Sequence, residues 1–124
     1  MYKRQGDVIA KELRSMGLEP NEKVGNTGVT ADLKCGDGPV IAIRADMDAL
    51  PIEETSGLDF SSKSKGVMHA CGHDGHMAML LGAAKILSEN RNKYNGTVRF
   101  IFQPAEEGEG GARYMIDDLS LIHI

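Results

Sequence analysis

Three histidines and a cysteine fall within eight residues in His69-Ala70-Cys71-Gly72-His73-Asp74-Gly75-His76, leaving one histidine elsewhere in the chain. Cys71 and His73 stand two apart with a glycine between them, so a short turn can aim a thiolate and an imidazole at one ion. That pair suits zinc and is acceptable for manganese, cobalt or nickel. Both groups bind metal only when deprotonated, so such a site weakens as pH falls. The plainer reading is a helix-capping turn whose histidines bond to backbone, and the density of ligand types argues against it. His69, Asp74 and His76 accompany the pair as supporting polar groups.

Two further clusters carry matching chemistry. Glu106 and Glu107 follow Pro104 and precede a glycine-rich turn. Adjacent carboxylates on a loop point in different directions, so one can bind metal while the other holds a water. A metal-bound water has its pKa lowered toward about 7, and a free carboxylate taking its proton adds roughly 10²- to 10⁴-fold in rate. In Arg44-Ala45-Asp46-Met47-Asp48 the two aspartates are spaced by two, which places them on one side of an extended chain. Either could orient a metal-bound histidine, and a solvated acidic loop paired with Arg44 accounts for them as well.

The elements that must position these clusters follow from hydrophobic period. Val8, Ile9, Leu13 and Met16 predict a helix over Asp7–Met16, stopped by Gly17. Thr27–Leu33 alternates as a half-buried strand does. Val40–Ile43 is a continuous apolar run, which predicts a strand covered on both faces, and the turn at Gly36–Pro39 suggests that these two strands form a hairpin. Residues 44–68 read as a long loop of the functional kind. Met77, Leu80, Leu81, Ala84 and Leu87 form one apolar helical stripe after His73. Thr97–Gln103 is a strand rich in β-branched and aromatic residues, and a final helix is expected over Gly110–Asp118. Helices alternating with strands predict an α/β sandwich with a mixed sheet, and the clusters fall where ligands bind such sheets, beyond the strand ends.

The chain has 124 residues, 41% hydrophobic and 26% charged, an ordinary globular composition. A net charge of −4 gives no reason to expect nucleic acid. No apolar run approaches the roughly 18 residues that span a bilayer, no signal peptide is present, and two cysteines fit a reduced compartment. A cytoplasmic protein with no membrane partner is the expectation. Cys35 reads as an incidental thiol.

Taken together, RADMDALPIEE, GVMHACGHDGHMAMLLGAAKIL and GTVRFIFQPAEEGEGGARYMI resemble the amidohydrolase branch of the M20 metallopeptidases. That branch contains hippurate hydrolases, N-acyl-amino-acid amidohydrolases, N-acetyl-diaminopimelate deacetylases and auxin-conjugate hydrolases. The resemblance implies a zinc-exopeptidase type of sandwich and hydrolysis of the amide bond of a small N-acyl amino acid. It implies two divalent ions per full site, drawn from manganese, zinc, nickel or cobalt. Cys71, His73 and Glu107 would be ligands, Cys71 able to bridge both ions, and Glu106 the general acid/base. Asp48 would support from behind, and Asp46 takes the histidine position of a His-x-Asp motif found in related peptidases.

The family pattern also includes two histidine ligands further downstream and a small domain that carries a homodimer interface. Neither is expected within these residues, and His123 is not taken as a substitute. Residues 1–5 (MYKRQ) and 119–124 (LSLIHI) resemble translated sequencing-adapter DNA. On this reading residues 6–118 are part of a catalytic domain, inactive alone and prone to aggregate. Two alternatives remain: a non-catalytic metal- or thiol-binding module, and a dipeptidase or aminoacylase of another M20 branch.

Overall fold

The computed structural model describes residues 2–108 and 110–119. His123 lies outside them. The element order is α1 (Tyr2–Ser15), β1 (Asn21–Val24), β2 (Gly28–Lys34), β3 (Val40–Asp46), α2 (His73–Glu89), β4 (Thr97–Gln103) and α3 (Gly111–Leu119), with a 3-10 turn at Arg91–Lys93 before β4. This is the mixed α/β architecture expected from the pattern.

Helix α1 ends on Gly17, whose φ of 76° only glycine adopts without strain. Leu18 N–H bonds Leu13 O and Gly17 N–H bonds Arg14 O, the two reversed bonds of a Schellman cap. Leu13 and Leu18 are both buried in the core, supplying the hydrophobic contact that accompanies such a cap.

The sheet has the order β1-β2-β4-β3. Val29, Ala31 and Leu33 on β2 sit opposite Phe102, Phe100 and Val98 on β4, and Ala45, Ile43 and Ile41 on β3 flank the same three residues from the other side. This face packs on Ile9, Ala10 and Leu13 of α1 and Leu80 and Ala84 of α2. Phe100 and Phe102 are fully buried at its centre, each contributing roughly 1.5–3 kcal/mol by burial. Met77, Leu81 and Leu87 pack against the same core, so the helical stripe is core packing. On the opposite face Arg99 Nε and Nη2 donate to both oxygens of Asp32, at 2.7 and 2.8 Å. Met115 of α3 lies within 3.0 Å of where a side chain on either Gly25 or Gly28 would begin.

Three expectations are corrected. Strands β2 and β3 form no hairpin; β4 lies between them, antiparallel to β2 and parallel to β3. A parallel neighbour needs a crossover, and the segment containing α2 supplies it. β3 continues through Asp46, so Arg44, Ala45 and Asp46 belong to the strand and the loop begins at Met47. β3 is also an edge strand, not a covered one: Val40 and Ile41 are each 59% exposed. The short strand β1 was not anticipated, because Asn21–Val24 carries one apolar residue among its four.

Candidate metal centre

Asp46 at the end of β3 faces Gln103 at the end of β4, so the segments leaving both strands emerge side by side. Met47 N–H still donates to Gln103 O at 2.8 Å, which carries the pairing one residue beyond β3. Asp48 then turns inward and is 5% exposed. Its Oδ2 accepts the Glu107 backbone N–H at 2.9 Å, stitching the first polar cluster to the third. Burial opposes the charge of Asp48, but N–H groups from Glu107 and Glu106 outweigh that opposition and hold its carboxyl below the usual range.

The second cluster arrives through the start of α2. Gly72 precedes the helix with φ 74°, a left-handed turn suited to glycine. His73, the first helical residue, is 5% exposed. Its Nδ1 lies 3.0 Å from Asp48 O and 3.2 Å from Asp48 Oδ1. Two oxygen acceptors around Nδ1 assign the ring proton to that nitrogen and leave the lone pair on Nε2.

Ala105 holds φ 51°, a left-handed conformation that costs a non-glycine residue and marks local strain. Its carbonyl accepts Gly111 N–H at 3.0 Å. A Cβ on Gly111 would stand 1.8 Å from Pro104 O, so glycine is required where α3 begins against this loop. The outcome is that ligand atoms of His73, Glu106 and Glu107 lie within 4.8 Å of one another. Both glutamates are exposed. One imidazole with carboxylates is a donor set for zinc or manganese, so the residues fit a divalent metal.

Cys71 is exposed and stands outside that trio, next to it. Its thiol bonds to Glu107, and this bond, then desolvation, then the charges of Glu107, Glu106 and Asp48 hold its pKa above the ordinary value. Asp46 turns away to Arg44, whose Nε is 3.4 Å from it. His69 meets Gln5 of α1 at 2.7 Å. Asp74, in the first turn of α2, accepts Gly75 N–H at 2.9 Å. His76 lies with its ring centroid 5.7 Å from that of His73. Asp48 is therefore the aspartate brought to the centre. Sequence reasoning missed Asn26, Thr27 and Tyr114, which line a cavity beside it; the turn-forming string Gly25-Asn26-Thr27-Gly28 was the available signal.

A mixed α/β sheet with histidine, thiol and carboxylates gathered beyond two parallel strand ends defines a metallohydrolase type of scaffold. Residues 42–123 match the model of peptidase family M20/M25/M40, and the chain belongs to that family. It is 54% identical over 114 residues to thermostable carboxypeptidase 2 of Saccharolobus solfataricus, covering 89% of this chain and 29% of that protein. It is 52% identical over 111 residues to N-acetyl-L-cysteine deacetylase of Bacillus subtilis, covering 89% and 27%. Against hippurate hydrolase of Campylobacter jejuni it is 50% identical over 112 residues, covering 90% and 29%. The crystal structure of the Bacillus subtilis YXEP protein, described as a dinuclear metal binding peptidase from the M20 family, superposes with a TM-score of 0.92. Identity there is 45%, over 100% of this chain and 35% of that one. The chain thus spans less than a third of the length of these curated relatives.

Proposed function

We propose that this chain is part of a metal-dependent amidohydrolase that cleaves the amide bond of N-acyl amino acids. The observation that carries the reading is the convergence of His73, Glu106 and Glu107 within 4.8 Å. The names of the deacetylase and hippurate hydrolase relatives support it. Cys71, His73 and Glu107 would hold divalent metal, two ions in a complete site, with manganese, zinc, nickel or cobalt as candidates. When bound, the metal supplies Lewis-acid polarisation of the carbonyl and a more acidic water.

The chain's own residues do the rest. Asp48 accepts at Nδ1 of His73, which orients the ring and turns Nε2 toward the centre. Glu106 takes the proton of the attacking water and returns it to the leaving amine. Glu107, tied by its backbone to Asp48, presents its carboxylate beside the Cys71 sulfur. The division of roles between the two glutamates follows the family pattern at these positions. With the remaining ligands expected downstream, the chain is proposed to be inactive alone.

The test is a substrate panel on the longer protein that carries this segment. N-acetyl- and N-benzoyl-amino acids should release free amino acid, and chelation should stop the release. Exclusive cleavage of peptides, which the carboxypeptidase relative makes the second reading, would overturn the proposal.

A further inference from the structure

Among the described residues, positive φ occurs at three non-glycine positions: Lys23, Asn26 and Ala105. Lys23 sits at the irregularity in the β1–β2 pairing, and Asn26 in the tight turn after it. Bulges and turns of that kind account for both. Ala105 is different. It follows a strand end, no hairpin calls for its φ of 51°, and the two glutamates of the centre come directly after it.

In a trans peptide the carbonyl of one residue and the N–H of the next point in opposite directions. The Ala105 carbonyl accepts Gly111 N–H at 3.0 Å, so the Glu106 N–H on the same peptide points away from α3. It faces the Asp48 carboxylate, and the Glu107 N–H reaches Asp48 Oδ2 at 2.9 Å. Successive N–H groups turned to one anion form a nest, which a left-handed residue makes possible. An extended Ala105 would send those N–H groups to alternate sides, as in a strand. Gly111 leaves room for the contact, since a Cβ there would meet Pro104 O at 1.8 Å and the Ala105 Cβ at 3.2 Å. We propose that Ala105 is a positioning residue: its left-handed backbone holds one peptide between α3 and Asp48, and so fixes where the side chains of Glu106 and Glu107 begin. The consequence for metal rests on the metallohydrolase reading; the backbone device does not.

If conformation is what matters at residue 105, substitutions should sort by tolerance of positive φ and not by size. Asparagine and valine fill similar space, but asparagine enters the left-handed region and a β-branched residue does not. The first readout is amide hydrogen exchange of the 124-residue chain without metal, at Glu106, Glu107 and Gly111. Phe100, in a strand paired on both sides, reports global opening. Ala105→Val should speed exchange at the three amides by about ten-fold or more relative to Phe100. Ala105→Gly and Ala105→Asn should stay within about three-fold of the unsubstituted chain. The second readout is zinc affinity of the longer protein, by competition with a chelator. It should fall by about ten-fold or more in Ala105→Val and hold within about three-fold in the other two. Three outcomes would overturn the assignment: valine without effect, asparagine acting as valine does, or valine exposing Phe100 as much as Glu107, as a chain that fails to fold would. Local loosening with zinc affinity unchanged would overturn the positioning role. Neither readout is turnover. A longer protein that hydrolyses no N-acyl amino acid would end the amidohydrolase reading alone, and failure at Ala105 would leave that reading as it stands.

Discussion

His73 Nδ1 lies 3.0 Å from the backbone oxygen of Asp48 and 3.2 Å from its carboxylate, in a contact where both residues are 5% exposed. The same carboxylate accepts the Glu107 N–H. One side chain thus fixes the ring orientation of a candidate ligand from the second cluster and the backbone of another from the third. The two segments are 59 residues apart in Asp48–Glu107 and 25 in Asp48–His73, so the site depends on Asp48 more than on any local motif.

Asp48→Asn and Asp48→Ala should both weaken metal binding by about 10- to 100-fold, the range for loss of a partner behind a ligating histidine. Asparagine keeps the shape and can still accept the Glu107 N–H through its amide oxygen. Alanine removes the acceptor of that part-buried N–H, so it should cost about 1 kcal/mol more in stability. Competition with a chelator gives the first quantity and urea unfolding the second. Unchanged affinity in both variants would remove Asp48 from the centre.

Glu106→Gln and Glu107→Ala separate base from ligand. In the longer protein Glu106→Gln should lower kcat by roughly 10²- to 10⁴-fold with metal content unchanged. Glu107→Ala should lose metal and activity together. Elemental analysis beside kinetics decides it, and metal loss in Glu106→Gln would exchange the two roles.

Acid should reach the sheet through Asp32. Arg99 donates to both its oxygens, and that hydrogen bond, against the opposing effect of burial, holds its carboxyl below the ordinary value. A depressed folded pKa contributes stability that is complete above the unfolded value near 3.9 and is lost as pH falls through the folded one. The pair is partly exposed, so Asp32→Asn should cost only about 0.5–1 kcal/mol at pH 7. That difference should shrink between pH 5 and pH 2 on the same linkage argument. Chemical unfolding across that range measures it; a gap that widens in acid would contradict the sign.

Much of this was legible in advance, and the failures share one cause. Thr97–Gln103 has the strand bounds expected of a β-branched run closed by a proline, and the α2 stripe packs as its period requires. Both are local signals. The order β1-β2-β4-β3 is not local: proximity in sequence favoured a β2–β3 hairpin, and nothing near residue 40 announces that a strand from residue 97 will come between them. At the centre, period two left Asp46 and Asp48 equivalent. They part because Asp46 is still in β3, paired with Arg44, whereas Asp48 has left the strand and can fold under the loops. The cavity escaped notice because its walls come from four separate segments, and no local pattern shows that the Asn26–Thr27 turn and Tyr114 close beside the two carboxylate clusters.

The edge at β3 carries the last prediction. Val40 and Ile41 are each 59% exposed and Ile43 37%, on a seven-residue strand with a neighbour on one side only among the described residues. An extended apolar edge of this kind offers unpaired backbone groups and a sticky face, the combination that templates pairing between copies. Ile41 shares its face with Val98 and Phe100, but at that exposure it adds little to the core. Ile41→Lys should therefore change unfolding free energy by no more than about 0.5 kcal/mol while opposing association through charge at the edge. Light scattering over a concentration series should show the unsubstituted chain growing in mass and Ile41→Lys shifted toward monomer. A control at Lys34, already exposed at the end of β2, changed to Gln should leave association as it was. If Ile41→Lys associates as the unsubstituted chain does, the contact between copies lies on another surface and β3 is not its template.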